Sequence, residues 1–91
     1  MKEIVDEKNN KIIGNVNLDN SKVKFIGSNN VLYINDEITL VNSSIEFRGD
    51  NSLVYLCKTS EKITVDIKLY NNSTIYFGKN IWINKGVKIV I

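Results

Sequence analysis

Three of the four tyrosines recur at a nearly fixed interval and occupy equivalent places in the chain. Tyr33, Tyr55 and Tyr76 lie 22 and 21 residues apart, and each is flanked by two apolar residues. Aromatic side chains in a row can hold a sugar ring or stabilise neighbouring strands by about 0.2–1 kcal/mol per pair. We expect the second role to dominate, with a glycan or partner contact as the alternative. Trp82, the sole tryptophan, is expected to face outward and to become buried in a partner.

Groups that could perform acid–base or nucleophilic chemistry are scarce. The chain has no histidine, the usual general base near neutral pH, and Cys57 therefore has no imidazole to activate it. The acidic side chains that fall at different corners of the repeat are Asp36, Glu37, Asp50, Glu61 and Asp66. Nothing in their spacing selects a glycosidase-type pair or a metal-ligand cluster. We assign no catalytic, cofactor-binding or metal-binding residue.

Charge and composition exclude several classes of partner. A net charge of +2 with a single arginine, Arg48, is too weak for a nucleic-acid surface. No apolar run approaches the roughly 20 residues of a membrane span, and acidic residues occupy the N-terminus where a signal peptide is apolar. One cysteine excludes an internal disulfide. We therefore expect a cytoplasmic protein.

Apolar residues recur in pairs spaced by two, which is the period of a β-strand. Three such pairs fall in each repeat of about 22 residues. A repeat of this length indicates a solenoid, because each unit can bury its apolar face only against its neighbours. The sequence predicts an all-β parallel β-helix of about four short, three-sided coils over residues 16–91, with residues 1–15 as an N-terminal cap. The predicted inner columns are Val23, Ile45, Ile67 and Val87; Phe25, Phe47, Leu69 and Ile89; and Ile34, Leu56 and Phe77.

The cap has two possible forms. Residues 4–13 could make a hairpin turning at Asn9 and Asn10. They could equally form an incomplete first coil, because Ile12 lies 22 residues before Ile34.

Some outward positions also repeat. Asn29, Asn51 and Asn72 are expected to form an amide ladder between coils, and Lys24, Glu46 and Lys68 an ion-pair row. In the third coil the apolar pair Ile63 and Val65 lies a few residues later than strict register with the preceding coil would place it. A bulge is therefore expected at residues 58–62.

The last coil carries a further pattern. Phe77, Ile83 and Ile89 are six residues apart, with Gly78 and Asn80 after the first of them. This resembles the hexapeptide repeat of bacterial acyltransferases, which fold as left-handed parallel β-helices. The segment from Asn29 to Ile34 and its copies are similar to the N-terminal coils of acetyltransferases that modify surface polysaccharides.

The resemblance implies a left-handed coil that belongs to the N-terminal portion of such an enzyme. Acetyl-CoA would be the donor for the longer enzyme, whereas this chain lacks the family's histidine and is expected to be non-catalytic. The alternative is a free-standing structural or glycan-binding solenoid that assembles with itself. Because residues 87–91 form a strongly apolar last strand, we expect a homo-oligomer through the open C-terminal coil.

Overall fold

The computed structural model describes residues 2–35, 37–57, 62–78 and 87–91, and this part of the chain consists of strands and turns without a helix. The strands are β1 Glu3–Val5, β2 Lys11–Ile13, β3 Val16–Asp19, β4 Lys22–Phe25, β5 Val31–Ile34 and β6 Ile38–Val41. They continue with β7 Ser44–Phe47, β8 Leu53–Leu56, β9 Lys62–Ile63, β10 Val65–Leu69, β11 Thr74–Phe77 and β12 Val87–Val90. The strands are short because each repeat contains only a pair of inward apolar residues between turn formers.

The strands form three sheets in which successive repeats lie side by side. The first sheet has the order β1-β2-β5-β8-β11, the second β3-β6-β9, and the third β4-β7-β10-β12. Every pair is parallel except β1 with β2. The strands β2–β4, β5–β7 and β8–β10 therefore each make one turn of a three-sided coil. The predicted all-β parallel β-solenoid is confirmed, with about three turns where about four were expected.

Like apolar side chains stack along the interior. Val23, Ile45 and Ile67 pair in register, and so do Phe25, Phe47 and Leu69, as predicted. The rings of Phe25 and Phe47 stack with centroids 4.9 Å apart. The predicted column of Ile34, Leu56 and Phe77 is also present. The core therefore repeats the same contacts from coil to coil.

The predicted register of β12 is wrong by two residues. Val87 pairs with Val65 rather than Ile67, and Ile89 pairs with Ile67 rather than Leu69. A shift of two residues leaves the same side chains pointing inward, so the alternation of apolar residues cannot distinguish the two registers. The observed register keeps the 22-residue spacing between Ile67 and Ile89.

Both forms expected of the N-terminal segment occur together. β1 and β2 make an antiparallel hairpin, and β2 also pairs in parallel with β5 as the first strand of the first coil. Ile12 lies beside Leu32, not Ile34. The chain covers the distance from Ile12 to Val16 with two residues fewer than from their partners Leu32 to Ile38 in the next coil. Gly14, whose φ is +114°, lies in this shorter segment.

The third coil absorbs one extra residue before β9. Leu40 pairs with Ile63, a spacing of 23, whereas the neighbouring sheets keep 22. Ile63 therefore belongs to the second sheet and Val65 to the third, so they are not two residues of one strand as the sequence suggested. The bulge predicted at residues 58–62 lies mostly outside the described residues.

Polar side chains close the corners between sheets. Asn9, Asn20, Asn29, Asn42, Asn51 and Asn72 all adopt positive φ, which suits their turn positions. Among the described residues the side chains of Asn29, Asn51 and Asn72 do not bond to one another as predicted. Their backbone N–H groups donate to carbonyls of the preceding coil, and the Asn29 side chain accepts a bond from the Asn9 amide at 3.0 Å. A different, more interior ladder consists of Asn10, Asn30, Ser52 and Ser73, linked by bonds of 2.9–3.1 Å.

Candidate functional site: the tyrosine ladder

The three predicted tyrosines form one continuous stack on the outer face of the first sheet. Parallel pairing of β5, β8 and β11 places Tyr33 beside Tyr55 and Tyr55 beside Tyr76. The ring centroids are 4.5 Å and 4.9 Å apart, with interplanar angles of 6° and 15°. The ladder expected from the repeat is thus present, and its spacing equals the distance between neighbouring strands.

The outer face around the stack carries no charged side chain on these three strands. The column next to the tyrosines consists of Val31, Leu53 and Thr74. The outer face of the third sheet differs, because its columns contain Lys22, Asp66 and Lys88. An uncharged surface of phenol and aliphatic groups would suit a neutral, amphipathic ligand better than an ionic one.

The geometry of the stack limits what it can bind. Stacked rings contact each other through their faces, so Tyr33 and Tyr55 present mainly ring edges to solvent. Tyr76 ends the stack among the described residues and is 64 % exposed. A sugar ring therefore has one free aromatic face to stack on, together with the ring edges and hydroxyl groups of the row.

Cys57 directly follows β8, the middle of the three strands that carry the row. Its thiol is buried and its Sγ lies 3.3 Å from the hydroxyl oxygen of Tyr76. The hydrogen bond with Cys57 is the main reason why the pKa of Tyr76 is raised above its ordinary value of 10.0. Burial, followed by the nearby Cys57, raises the pKa of Tyr55 in the same way. These phenols stay protonated near neutral pH and can act as hydrogen-bond donors.

The carboxylates considered for chemistry have structural partners. Asp50 accepts a bond from the Ser28 N–H at 2.8 Å, and Asp66 one from the Ser44 hydroxyl at 3.1 Å. Glu37 accepts a bond from the Asn17 amide at 3.2 Å. Asp36, Glu61 and Trp82 lie outside the described residues. Within the described ranges no group of three or more His, Cys, Asp or Glu side chains is placed to hold a metal ion.

Sequence reasoning misplaced the ion pairs on the third sheet. Glu46 lies between Lys24 and Lys68 in register, but its ion pairs are with Lys22 at 3.6 Å and Arg48 at 3.0 Å. Burial opposes ionisation of Glu46, yet the Arg48 hydrogen bond and the two cations lower the pKa of its carboxyl. The ion-pair partners are Lys22, two residues before Lys24, and Arg48, two residues after Glu46. Matching equivalent positions of successive repeats does not consider such neighbours.

A polar groove of about 460 Å³ runs along the corner between the second and third sheets. Its lining residues are Asn20, Ser21, Lys22, Asn42, Ser43, Ser44 and Asp66. Several bond to one another, including Asn20 to Asn42 at 2.7 Å, so the groove is a hydrogen-bonded corner of the solenoid.

Comparison with protein-family models, curated proteins and solved structures gives no match. Among the described residues, no helix is long and apolar enough to cross a membrane.

Proposed function

We propose that this chain is a non-catalytic β-solenoid scaffold, the N-terminal coils of a bacterial acyltransferase that acetylates a surface polysaccharide. The observation that carries the proposal is the difference between the two ends of the solenoid. A hairpin covers one end of the first sheet, whereas at the other end β11 and β12 are the last strands of their sheets within the described ranges. The six-residue spacing of Phe77, Ile83 and Ile89 supports the assignment to the hexapeptide-repeat class and its left-handed coil.

The strands β11 and β12 form what we call the C-terminal edge. Tyr76, Val87 and Val90 on these strands are 64 %, 42 % and 52 % exposed. An edge of this kind accepts a further strand in the same register, which would extend both the interior columns and the tyrosine stack. In the proposed role the edge accepts further coils, which bind acetyl-CoA and perform the transfer, and it supports homo-oligomer contacts. The free, buried thiol of Cys57 agrees with a cytosolic location.

The test begins with the gene. Its reading frame downstream of the Ile91 codon is expected to continue in regular hexads that include a histidine. The longer chain should then transfer acetyl groups from acetyl-CoA to an oligosaccharide, and the 91-residue chain should not. A longer chain that neither binds acetyl-CoA nor contains a histidine would contradict the proposal.

A glycan-binding role is the second candidate, favoured by the uncharged outer face of β5, β8 and β11. Because the ring faces are largely occupied, binding would depend on the tyrosine hydroxyl groups. Tyr55→Phe keeps the stack and removes one hydroxyl, while Tyr55→Leu removes the stacked ring as well. Retention on an oligosaccharide column should fall for Tyr55→Phe without a change in melting temperature. Wild-type protein that is not retained would exclude this role.

A further inference from the structure

At the N-terminal end of the solenoid, the first sheet extends one strand further than the other two sheets. β2, β3 and β4 are the first strands of the three sheets in the coil, and β1 adds one more strand to the first sheet only. One strand extends a sheet by about 4.8 Å. A second molecule approaching this end would meet β1 before it reached β3 or β4, so it could not pair with all three sheets at once.

Without β1 the described end strands of the first and third sheets would match: β2 with β11, and β4 with β12. Ile12, Leu32, Val54 and Ile75 form one inner column, so Ile75 of a second copy would lie over Ile12. In the third sheet, Ile89 would lie over Val23 in the same way. Such a contact joins one end to the opposite end of the next molecule, and a contact of that type does not close but grows into a filament.

The hairpin is firmly attached over this edge. Asp6 accepts bonds from the N–H groups of Lys8 and Asn10 at 2.9 Å and 2.8 Å, which fixes the turn. Lys8 donates through Nζ to the carbonyl of Ile26, and the Asn10 amide donates to that of Gly27. β1 itself has only three residues. Short strands with charged side chains are a common means of blocking edge-to-edge pairing.

We propose that the β1–β2 hairpin is a stop element: it prevents the N-terminal edge of β2, β3 and β4 from accepting the C-terminal edge of a second copy of this chain. The covered N-terminal edge is an interaction surface, and the surface that matches it is the C-terminal edge of a second copy. The inference does not rest on the acyltransferase role. It concerns the 91-residue chain, whereas in the proposed longer enzyme further coils would cover β11 and β12.

The first test is Ile4→Pro in the full 91-residue chain. Ile4 is 52 % exposed and lies in the middle of β1, where a proline cannot donate a ladder hydrogen bond. We expect the variant to form filaments with the strand repeat of about 4.8 Å along the axis, visible by electron microscopy and fibre diffraction. Wild-type protein at the same concentration should form none. Filaments of the wild type, or a folded variant that stays free of filaments, would overturn the proposal.

A charge swap on the opposite end tests the register. Val90 lies in the outer column of Lys24, Glu46 and Lys68, so in a filament it would lie beside Lys24 of the next copy. In the Ile4→Pro background, Val90→Glu should lower the concentration needed for assembly and Val90→Lys should raise it, each by roughly two- to fivefold. Equal effects of the two charges would contradict the end-to-end contact.

A milder variant covers the case in which Ile4→Pro does not fold. Asp6→Ala removes the bonds that hold the turn and leaves β1 unchanged in sequence. Near-ultraviolet circular dichroism of the stacked tyrosines reports whether the solenoid is intact. With that signal preserved, Asp6→Ala should form filaments at a concentration at which the wild type forms none. No assembly of a folded Asp6→Ala protein under conditions that open the hairpin would refute the stop role.

Discussion

Phe47→Ala should remove more stability than any other single truncation in the inner columns. Phe47 is fully buried and lies between Phe25 and Leu69, with its ring stacked on that of Phe25. Truncation of a buried phenylalanine costs about 3–5 kcal/mol, which includes the cavity left behind. A chain of 91 residues has a free energy of unfolding of about 5–14 kcal/mol. The variant should therefore be close to the limit of folding.

Phe25→Ala is the matched control. It removes the other ring of the same stacked pair, but Phe25 lies on β4 at the edge of the third sheet and is only partly buried. Water can enter the space that the ring leaves, so the cavity contribution is smaller and we expect a loss of about 1–2 kcal/mol.

Urea unfolding followed by circular dichroism gives both free energies of unfolding. The midpoint should fall much further for Phe47→Ala than for Phe25→Ala, with similar slopes. Thermal melts should show the same order, since 1 kcal/mol shifts the melting temperature by about 4–8 °C in a domain of this size. Equal losses for the two variants, or a loss below about 2 kcal/mol for Phe47→Ala, would refute the assigned core position.

Two further predictions concern titrating groups. Hydrogen bonds from the Asn10 side chain and backbone are the main reason why the pKa of Asp6 lies below its ordinary value of 3.8. The ionised Asp6 therefore stabilises the hairpin above that value, and this stabilisation is lost as the pH falls through the lowered pKa. Protection of the β1 amides against hydrogen exchange, relative to the intrinsic rate at each pH, should fall at acid pH in the wild type but show no such step in Asp6→Asn. Unchanged protection in the wild type would contradict the prediction. Because the Cys57 hydrogen bond raises the pKa of Tyr76, Cys57→Ala should bring that pKa back toward 10.0 in an ultraviolet titration. The wild type should in turn lose stability as the pH rises through the raised pKa, and identical titration curves would show that the thiol has no influence.

The sequence was informative wherever one physical constraint repeats. The 22-residue period predicted three sheets, the inner columns of Ile45 and Phe47, and the outward tyrosine row. It was uninformative where two arrangements satisfy the same alternation, as with the register of Val87. The sequence also did not reveal the buried ladder of Asn30 and Ser52. Asparagine and serine occupy equivalent positions in this ladder because of the hydrogen bonds that the folded corner provides, and the sequence alone does not show those bonds.

For the candidate site, the sequence predicted where the tyrosines lie but not how much of their ring surface is free to bind a ligand. Spacing placed Tyr33, Tyr55 and Tyr76 on one face correctly, but spacing does not determine how a ring is oriented. In the structure the rings lie 4.5–4.9 Å apart and nearly parallel, so most of the aromatic surface that a sugar would need is already in contact with another tyrosine. The face that looks most like a ligand platform in the sequence is therefore first a stabilising ladder. Its remaining free ring surface is at Tyr76, on the C-terminal edge where a further strand would extend the stack.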